Sequence, residues 1–231
     1  MGSTGNGGMR QTNHLGRVTL LLSLLALISA ILTIIFDLNG SETGLYIFKP
    51  ISIFLILMIT VVSIKPPSVR YRQAIIAGLI FSLAGDVVLV IPQDLFLIGL
   101  IFFLIAHLCY IGAFVSVGGF YRSFWGALPF LLAGIFLTIV LWPDLGEMRM
   151  PALIYLVIIL VMAWQALGQW RQSGESRALL AFIGALLFVF SDLALAVNKF
   201  ANPFDMAALV VLGTYYPAQW LIALSAGREH P

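Results

Sequence analysis

The sequence predicts an all-α, polytopic membrane protein built as a bundle of eight transmembrane helices. Of its 231 residues, 61% are hydrophobic and 10% are charged, whereas a soluble domain has about 25% charged residues. Apolar runs recur along the chain, each close to the roughly 20 residues that a helix needs to cross a bilayer. The polar segments between them are short, which leaves no room for a soluble domain.

The eight apolar runs lie at about 17–36, 49–64, 72–91, 95–117, 123–142, 151–170, 177–198 and 205–225. The first is too long for a signal-peptide core, so we expect a retained helix. The second begins with Lys49-Pro50. Proline is acceptable in a first helical turn, so this start is compatible with a helix. We therefore expect a flexible cytoplasmic tail at 1–16, a transmembrane domain at 17–226 and a short C-terminal tail at 227–231.

The basic residues predict the orientation. Tails and loops on one side carry nine of them, and the opposite side carries three. The side with nine carries Arg10, Arg17, Lys65, Arg70, Arg72, Arg122, Arg171, Arg177 and Arg228. The side with three carries Lys49, Arg149 and Lys199. This positive-inside bias places both termini in the cytoplasm. The membrane would be the endoplasmic reticulum in a eukaryote and the inner (plasma) membrane in a bacterium.

Two aspartates, Asp86 and Asp192, are the only acidic residues assigned to the interior of apolar runs. Each has a glycine eight residues before it, Gly78 and Gly184, and a leucine three residues after it. Both lie about 15 residues into helices of the same direction, roughly 20 Å from the inner end. The match raises the hypothesis of two parallel four-helix repeats. A membrane-buried carboxylate costs about 2.5–3.5 kcal/mol on insertion scales, which favours a function, although hydrogen bonds between helices or pairing with a lysine would also explain them.

Other polar side chains are predicted to lie near this pair. They are Lys49 at the start of helix two, His107 and Tyr110 on helix four, Tyr155 on helix six, Lys199 after helix seven, and Tyr215 and Gln219 on helix eight. His107 could equally be a packing residue, and Tyr155 could belong to an interfacial aromatic belt. Each lysine could bind a phosphate or pair with an aspartate.

Several chemistries are excluded. Cys109 is the one cysteine, and two of the three histidines, His14 and His230, lie in the tails. A three-histidine zinc site within the bundle is therefore excluded, and we expect no metal or other cofactor. Neither a nucleophile elbow nor a glycine-rich phosphate loop is present. Ser82 lies one turn before Asp86, but nothing marks it as a nucleophile.

An ordered set of motifs carries a resemblance to a known family. The motifs are Phe81-Ser82-x-x-Gly85-Asp86-x-x-Leu89, Gly99-Leu-x-x-Phe103-x-x-x-His107-x-x-Tyr110, Phe188-x-x-Ser191-Asp192-Leu-x-x-Ala196-x-Asn-Lys199-Phe200 and Tyr215-Tyr216-x-Ala218-Gln219. The chain resembles the lysoplasmalogenase family of YhhN-like multispanning proteins, from about residue 45 to Ala226.

The resemblance implies hydrolysis of the vinyl ether bond of a lysoplasmalogen, giving a fatty aldehyde and glycerophospho-ethanolamine or -choline. It also implies that Asp86 and Asp192 are the catalytic pair. Vinyl ether hydrolysis is acid-catalysed, and two coupled carboxyl groups in an apolar cavity can supply a protonated and an ionised form. Which aspartate is the acid stays open at this point, as does the oligomeric state. The implied partner is a lysophospholipid within the membrane, with no nucleic acid.

Two other functions remain compatible with the sequence. A proton- or cation-coupled transporter could use the two intramembrane aspartates as carriers. A lipid receptor or scaffold would bind the same ligand without turnover. Substrate flux into liposomes would indicate the transporter, and ligand binding without turnover would indicate the receptor or scaffold. Aldehyde release from a lysoplasmalogen would indicate the hydrolase.

Overall fold

Eight helices long and apolar enough to cross a membrane make up the described part of the chain, which confirms the predicted bundle. The computed structural model describes residues 5–63, 66–91, 93 and 95–227, with side chains from residue 16 onward. The helices are α1 (Gly5–Leu38), α2 (Glu42–Val62), α3 (Val69–Val90), α4 (Phe96–Gly118), α5 (Phe124–Leu141), α6 (Arg149–Ser173), α7 (Ser176–Ala196) and α8 (Ala207–Ser225). A π-helix, Val197–Ala201, follows α7.

The prediction that α2 starts at Lys49-Pro50 is wrong. The helix begins at Glu42, because the Ser41 side chain caps it by accepting a hydrogen bond from the Gly44 amide, and the acidic Glu42 favours a helix N-terminus. Pro50 therefore lies inside the helix. Lys49 is consequently an interior residue of α2.

The other predicted helices agree with the structure to within a few residues, except at the first. Helix α1 begins at Gly5, inside the segment that we predicted as a tail, and the proposed domain bounds stay predictions. Three residues named in the sequence analysis lie outside the described residues: Lys65, Arg228 and His230. The side chains of Arg10 and His14 are likewise not described.

The glycines that precede the two aspartates allow close contact between helices. A Cβ atom built on Gly78 of α3 would overlap the ring of Tyr110 on α4. One built on Gly184 of α7 would come within 2.8 Å of the Ala218 carbonyl oxygen on α8. Small residues at such crossings let membrane helices approach closely. The repeated glycine therefore brings α4 against α3 and α8 against α7.

Helix packing follows the same order in both halves of the chain. Helices α2, α3 and α4 pack successively on one another, and so do α6, α7 and α8. The contact of α4 with α6 has its counterpart in the contact of α8 with α2. This correspondence favours the predicted four-helix repeat. The two first helices differ, because α1 packs on both α2 and α8, whereas α5 packs mainly on α6.

Candidate active site

Asp86 and Asp192 line one cavity in the membrane-spanning part of the bundle. Its volume is about 150 Å³, and α2 to α8 all contribute side chains to its wall. Leucines, phenylalanines and other apolar residues make up most of that wall. The structure thus brings the two predicted catalytic residues, on α3 and α7, to the same apolar space.

Asp86 lies against a cation and a phenol. The Lys49 ammonium on α2 is 3.3 Å from Asp86 Oδ1, and the Tyr215 hydroxyl on α8 donates to Asp86 Oδ2 over 2.6 Å. The Asp86 side chain is only 2% exposed and that of Lys49 is 14% exposed. Opposite charges in such a buried contact favour the ionised forms of both groups. The contact between Lys49 and Asp86 is a nearly buried ion pair.

Asp192 has different neighbours. The Tyr155 hydroxyl on α6 donates to Asp192 Oδ2, and His107 Nε2 on α4 lies 3.6 Å from the same oxygen. Within the described residues no lysine or arginine pairs with Asp192. Its side chain is 17% exposed, more than that of Asp86, and its Oδ1 has no hydrogen-bond partner in the described part of the chain. That second oxygen is available to a molecule in the cavity.

The hydrogen bonds define which nitrogen of His107 carries a proton. Tyr155 has one hydroxyl hydrogen, which it donates to Asp192, so it must accept the 2.8 Å hydrogen bond that joins it to His107 Nε2. Nε2 is therefore protonated. His107 Nδ1 is buried without a partner among the described residues, which suits the unprotonated nitrogen of a neutral imidazole. The order of donation runs from His107 to Tyr155 to Asp192.

The surroundings of the two aspartates follow the repeat. Tyr155 follows Lys49 by the same 106 residues that separate Asp192 from Asp86. Each aspartate accordingly receives one group from the preceding helix of its own half and one from the last helix of the other half. Equivalent positions thus carry an ammonium in one half and a phenol in the other, and this difference makes the two carboxyl groups chemically distinct.

A second layer of polar groups holds Tyr215. The Tyr110 hydroxyl donates to Gln219 Oε1 over 2.7 Å, and Gln219 Nε2 donates to the Tyr215 hydroxyl over 3.3 Å. Tyr110 and Gln219 are fully buried behind the cavity wall. This chain of donors orients Tyr215 toward Asp86.

The sequence model of the YhhN family matches residues 45–226. The chain belongs to the YhhN family. It is 37% identical over 168 residues to human lysoplasmalogenase TMEM86B, covering 72% of this chain and 69% of that protein. It is 36% identical to bovine lysoplasmalogenase TMEM86A, covering 66% of this chain and 64% of the relative. It is also 28% identical over 200 residues to the membrane protein YhhN of Escherichia coli O6:H1, covering 86% and 94% of the two chains.

The chain thus spans about two thirds of the length of its mammalian relatives and nearly the whole of the bacterial one. Its eight apolar helices and these relatives identify it as an integral, multi-pass membrane protein. No solved structure matches the chain significantly.

The remaining predicted site residues of this YhhN-family chain fall into two groups. Lys49, Tyr155 and Tyr215 line the cavity, whereas His107, Tyr110 and Gln219 lie behind it. Lys199 lies on the π-helix, with its ammonium 4.5 Å from the ring centre of Phe96. Phe96 and Phe200 both line the cavity and meet edge to face at 5.5 Å. Lys199 therefore lies near one edge of the cavity.

Phe188 belongs to the motif around Asp192, but it is not among the predicted site residues. Its buried ring contacts both His107 and Tyr215 edge to face, at centroid distances of 4.6 and 5.4 Å. It therefore packs between the partners of the two aspartates. Its position one turn before Asp192 was a usable signal, but a phenylalanine in an apolar run does not otherwise stand out. Within the described residues, no group of three or more His, Cys, Asp or Glu side chains is arranged to hold a metal ion.

Proposed function

We propose that this chain hydrolyses the vinyl ether bond of lysoplasmalogens within the membrane, releasing a fatty aldehyde and a glycerophospho-ethanolamine or -choline. The observation that carries the proposal is a pair of aspartates with unlike partners in one apolar membrane cavity. Relatives that are named lysoplasmalogenases support this reaction. They give no support to the transporter alternative.

Asp86 is assigned as the base and electrostatic stabiliser. The adjacent Lys49 ammonium keeps it ionised, and the Tyr215 hydroxyl orients it. A fixed carboxylate in an apolar site stabilises positive charge that develops on the substrate. It can also accept a proton from an attacking water molecule.

Asp192 is assigned as the acid. It has no cationic partner among the described residues, so the neutral form does not break an ion pair. Tyr155 donates to Oδ2, which places the acidic proton on Oδ1, the oxygen that has no hydrogen-bond partner among the described residues. His107 supports this arrangement by donating to Tyr155. The acid proton thus faces the cavity.

These roles give a balanced reaction. Asp192 transfers its proton to the alkene carbon farther from the ether oxygen, and an oxocarbenium ion forms beside the Asp86 carboxylate. Water adds to the carbon next to oxygen and gives a proton to Asp86, which produces a hemiacetal. In the collapse, Asp86 returns that proton to the leaving glycerol oxygen, and the Asp192 carboxylate takes the hydroxyl proton of the hemiacetal. Aldehyde and alcohol are released, and both aspartates regain their starting forms.

The lipid head group would lie at the end of the bundle where Lys199 is found. Lys199 is placed to contact the phosphate by its position beside Phe96, a residue of the cavity wall. The positive-inside bias supports a topology with both termini in the cytoplasm. That topology would hold in the endoplasmic reticulum or in a bacterial inner membrane.

The test is aldehyde release by the purified protein in detergent or nanodiscs. We expect release from a lysoplasmalogen and none from its saturated alkyl-ether analogue, which cannot form the oxocarbenium ion by protonation. Asp86→Asn and Asp192→Asn should each abolish release while the protein stays monodisperse. Near-normal turnover in either purified variant would contradict the proposed pair.

A further inference from the structure

A second cavity lies between α5 and α6. It has a volume of about 440 Å³ and is lined by one face of each helix, from Ala127 to Ile139 and from Leu153 to Trp164. Its lining side chains include no charged residue, and Thr138 is the one hydroxyl among them. We call this cavity the α5–α6 groove.

The groove adjoins the active-site cavity. Thr138, Leu153 and Leu156 line both spaces, so these three side chains form the boundary that a hydrocarbon chain reaching from one space into the other would pass. The shared residues lie at the end of the groove that is nearer to the aspartates. A ligand that reacts at Asp192 can therefore direct its apolar part toward the groove.

The dimensions and surroundings of the groove fit one hydrocarbon chain. From Ala127 to Thr138, and again from Leu153 to Trp164, the helical rise gives a length of roughly 16 Å. This is about half of the 30 Å hydrocarbon core of a bilayer, the depth that the chain of one leaflet occupies. Helix α5 is also the least buried of the eight spans, so a lipid can enter along it from the bilayer.

Two residues control the free length of the groove. At its middle, a Cβ atom on Gly134 would lie 2.9 Å from Leu160 Cδ1, so a larger side chain there would displace Leu160, which also lines the groove, and narrow it. At its far end, the Trp164 ring packs edge to face on Phe120 at 5.5 Å. A substitution of Gly134 would therefore narrow the groove at its middle, and Trp164 limits the groove at its far end.

We propose that the α5–α6 groove binds the alkenyl chain of the substrate, and that Gly134 and Trp164 set the chain length that the enzyme accepts. This proposal rests on the proposed function. Neither residue contacts the aspartates, so both are specificity residues and are not part of the catalytic pair.

The first experiment measures aldehyde release from lysoplasmalogens of increasing chain length. Gly134→Phe should reduce turnover of long-chain substrates by about tenfold or more, since excluded methylenes lose their pocket, while a short-chain vinyl ether is hydrolysed as by the wild type. Val161 on α6 also lines the groove, and Val161→Trp should likewise reduce the turnover of long-chain substrates. Trp164→Ala should shift the preference toward longer chains. Leu132→Phe is the matched control, because Leu132 is exposed on α5 and lines neither cavity.

The second experiment requires no turnover. A saturated lyso-ether lipid with a photoreactive diazirine at the end of its chain is irradiated with the wild-type protein, and the adducts are mapped by mass spectrometry. Labels should fall on groove residues of α5 and α6. Labels elsewhere in the bundle, or an unchanged chain-length profile in folded Gly134→Phe and Val161→Trp, would overturn the proposal. A wild type that labels in the groove but releases no aldehyde would instead contradict the proposed function.

Discussion

Replacing Lys49 with methionine tests the assignment of Asp86 as the member of the pair that is ionised before the reaction begins. The two charges are 3.3 Å apart and nearly buried, which corresponds to an attraction of about 5 kcal/mol at an effective dielectric constant near 20. Much of this is offset by desolvation, but removing one partner of a buried pair typically destabilises a protein by about 3–5 kcal/mol. We expect Lys49→Met to lose about 3 kcal/mol of stability. Turnover should fall about a hundredfold, the loss that follows removal of one electrostatic stabiliser.

The assay combines thermal unfolding in nanodiscs with aldehyde release. Lys49→Arg keeps the charge and should retain part of both stability and activity. The double variant Lys49→Met/Asp86→Asn should be more stable than Lys49→Met alone, because no unpaired carboxylate remains, although it should be inactive. If Lys49→Met unfolds at the wild-type temperature and turns over normally, Lys49 does not hold Asp86 ionised, and the division of roles between the aspartates is wrong.

Three further predictions follow from the contacts. Tyr155→Phe leaves Asp192 Oδ2 and the His107 Nε2–H without partners, and each lost partner costs about 1–3 kcal/mol. Aldehyde release should therefore fall at least about tenfold, and His107→Phe should have a smaller effect. Gly184→Ala should lower the unfolding temperature, because its Cβ meets the Ala218 backbone and overpacking costs about 1–3 kcal/mol. Gly213→Ala on α8 is the control, with nothing within 4 Å, and should be neutral or stabilising. Arg177 donates two hydrogen bonds to Glu175 between α6 and α7 and lowers the pKa of that carboxyl group. This ion pair stabilises the folded protein by less than about 1 kcal/mol at a partly exposed site. The stabilisation is present at neutral pH and is lost as the pH falls through the lowered pKa of Glu175. The stability difference between wild type and Glu175→Gln should therefore disappear in acid.

The predictions that succeeded concerned properties of single segments. Eight spans could be read from the sequence because the transfer of a helix into a bilayer depends on the composition of that segment alone. Asp86 and Asp192 stood out for the same reason, since a carboxyl group in an apolar run is costly wherever the helix lies. The repeated glycines were visible too, although their purpose, close packing of α3 on α4 and of α7 on α8, required the structure.

The predicted start of α2 was wrong because two local signals in the sequence indicate different first residues. Hydropathy and Pro50 indicated a start near residue 49, but the helix begins at Glu42, where the Ser41 side chain caps it. The difference matters for the site, because an interior Lys49 is directed at Asp86. A terminal lysine could have extended toward the lipid head groups.

The sequence by itself determined that this chain is an eight-helix membrane protein with two buried carboxyl groups and a set of polar residues around them. Only the tertiary structure decided which polar residue serves which aspartate: Lys49 and Tyr215 for Asp86, and Tyr155 with His107 for Asp192. It alone also revealed the groove between α5 and α6. The reason is that apolar residues facing lipid, core and cavity have the same chemistry in a membrane helix. The rotation and packing of whole helices therefore decide which side chains meet, and these depend on contacts between segments distant in sequence.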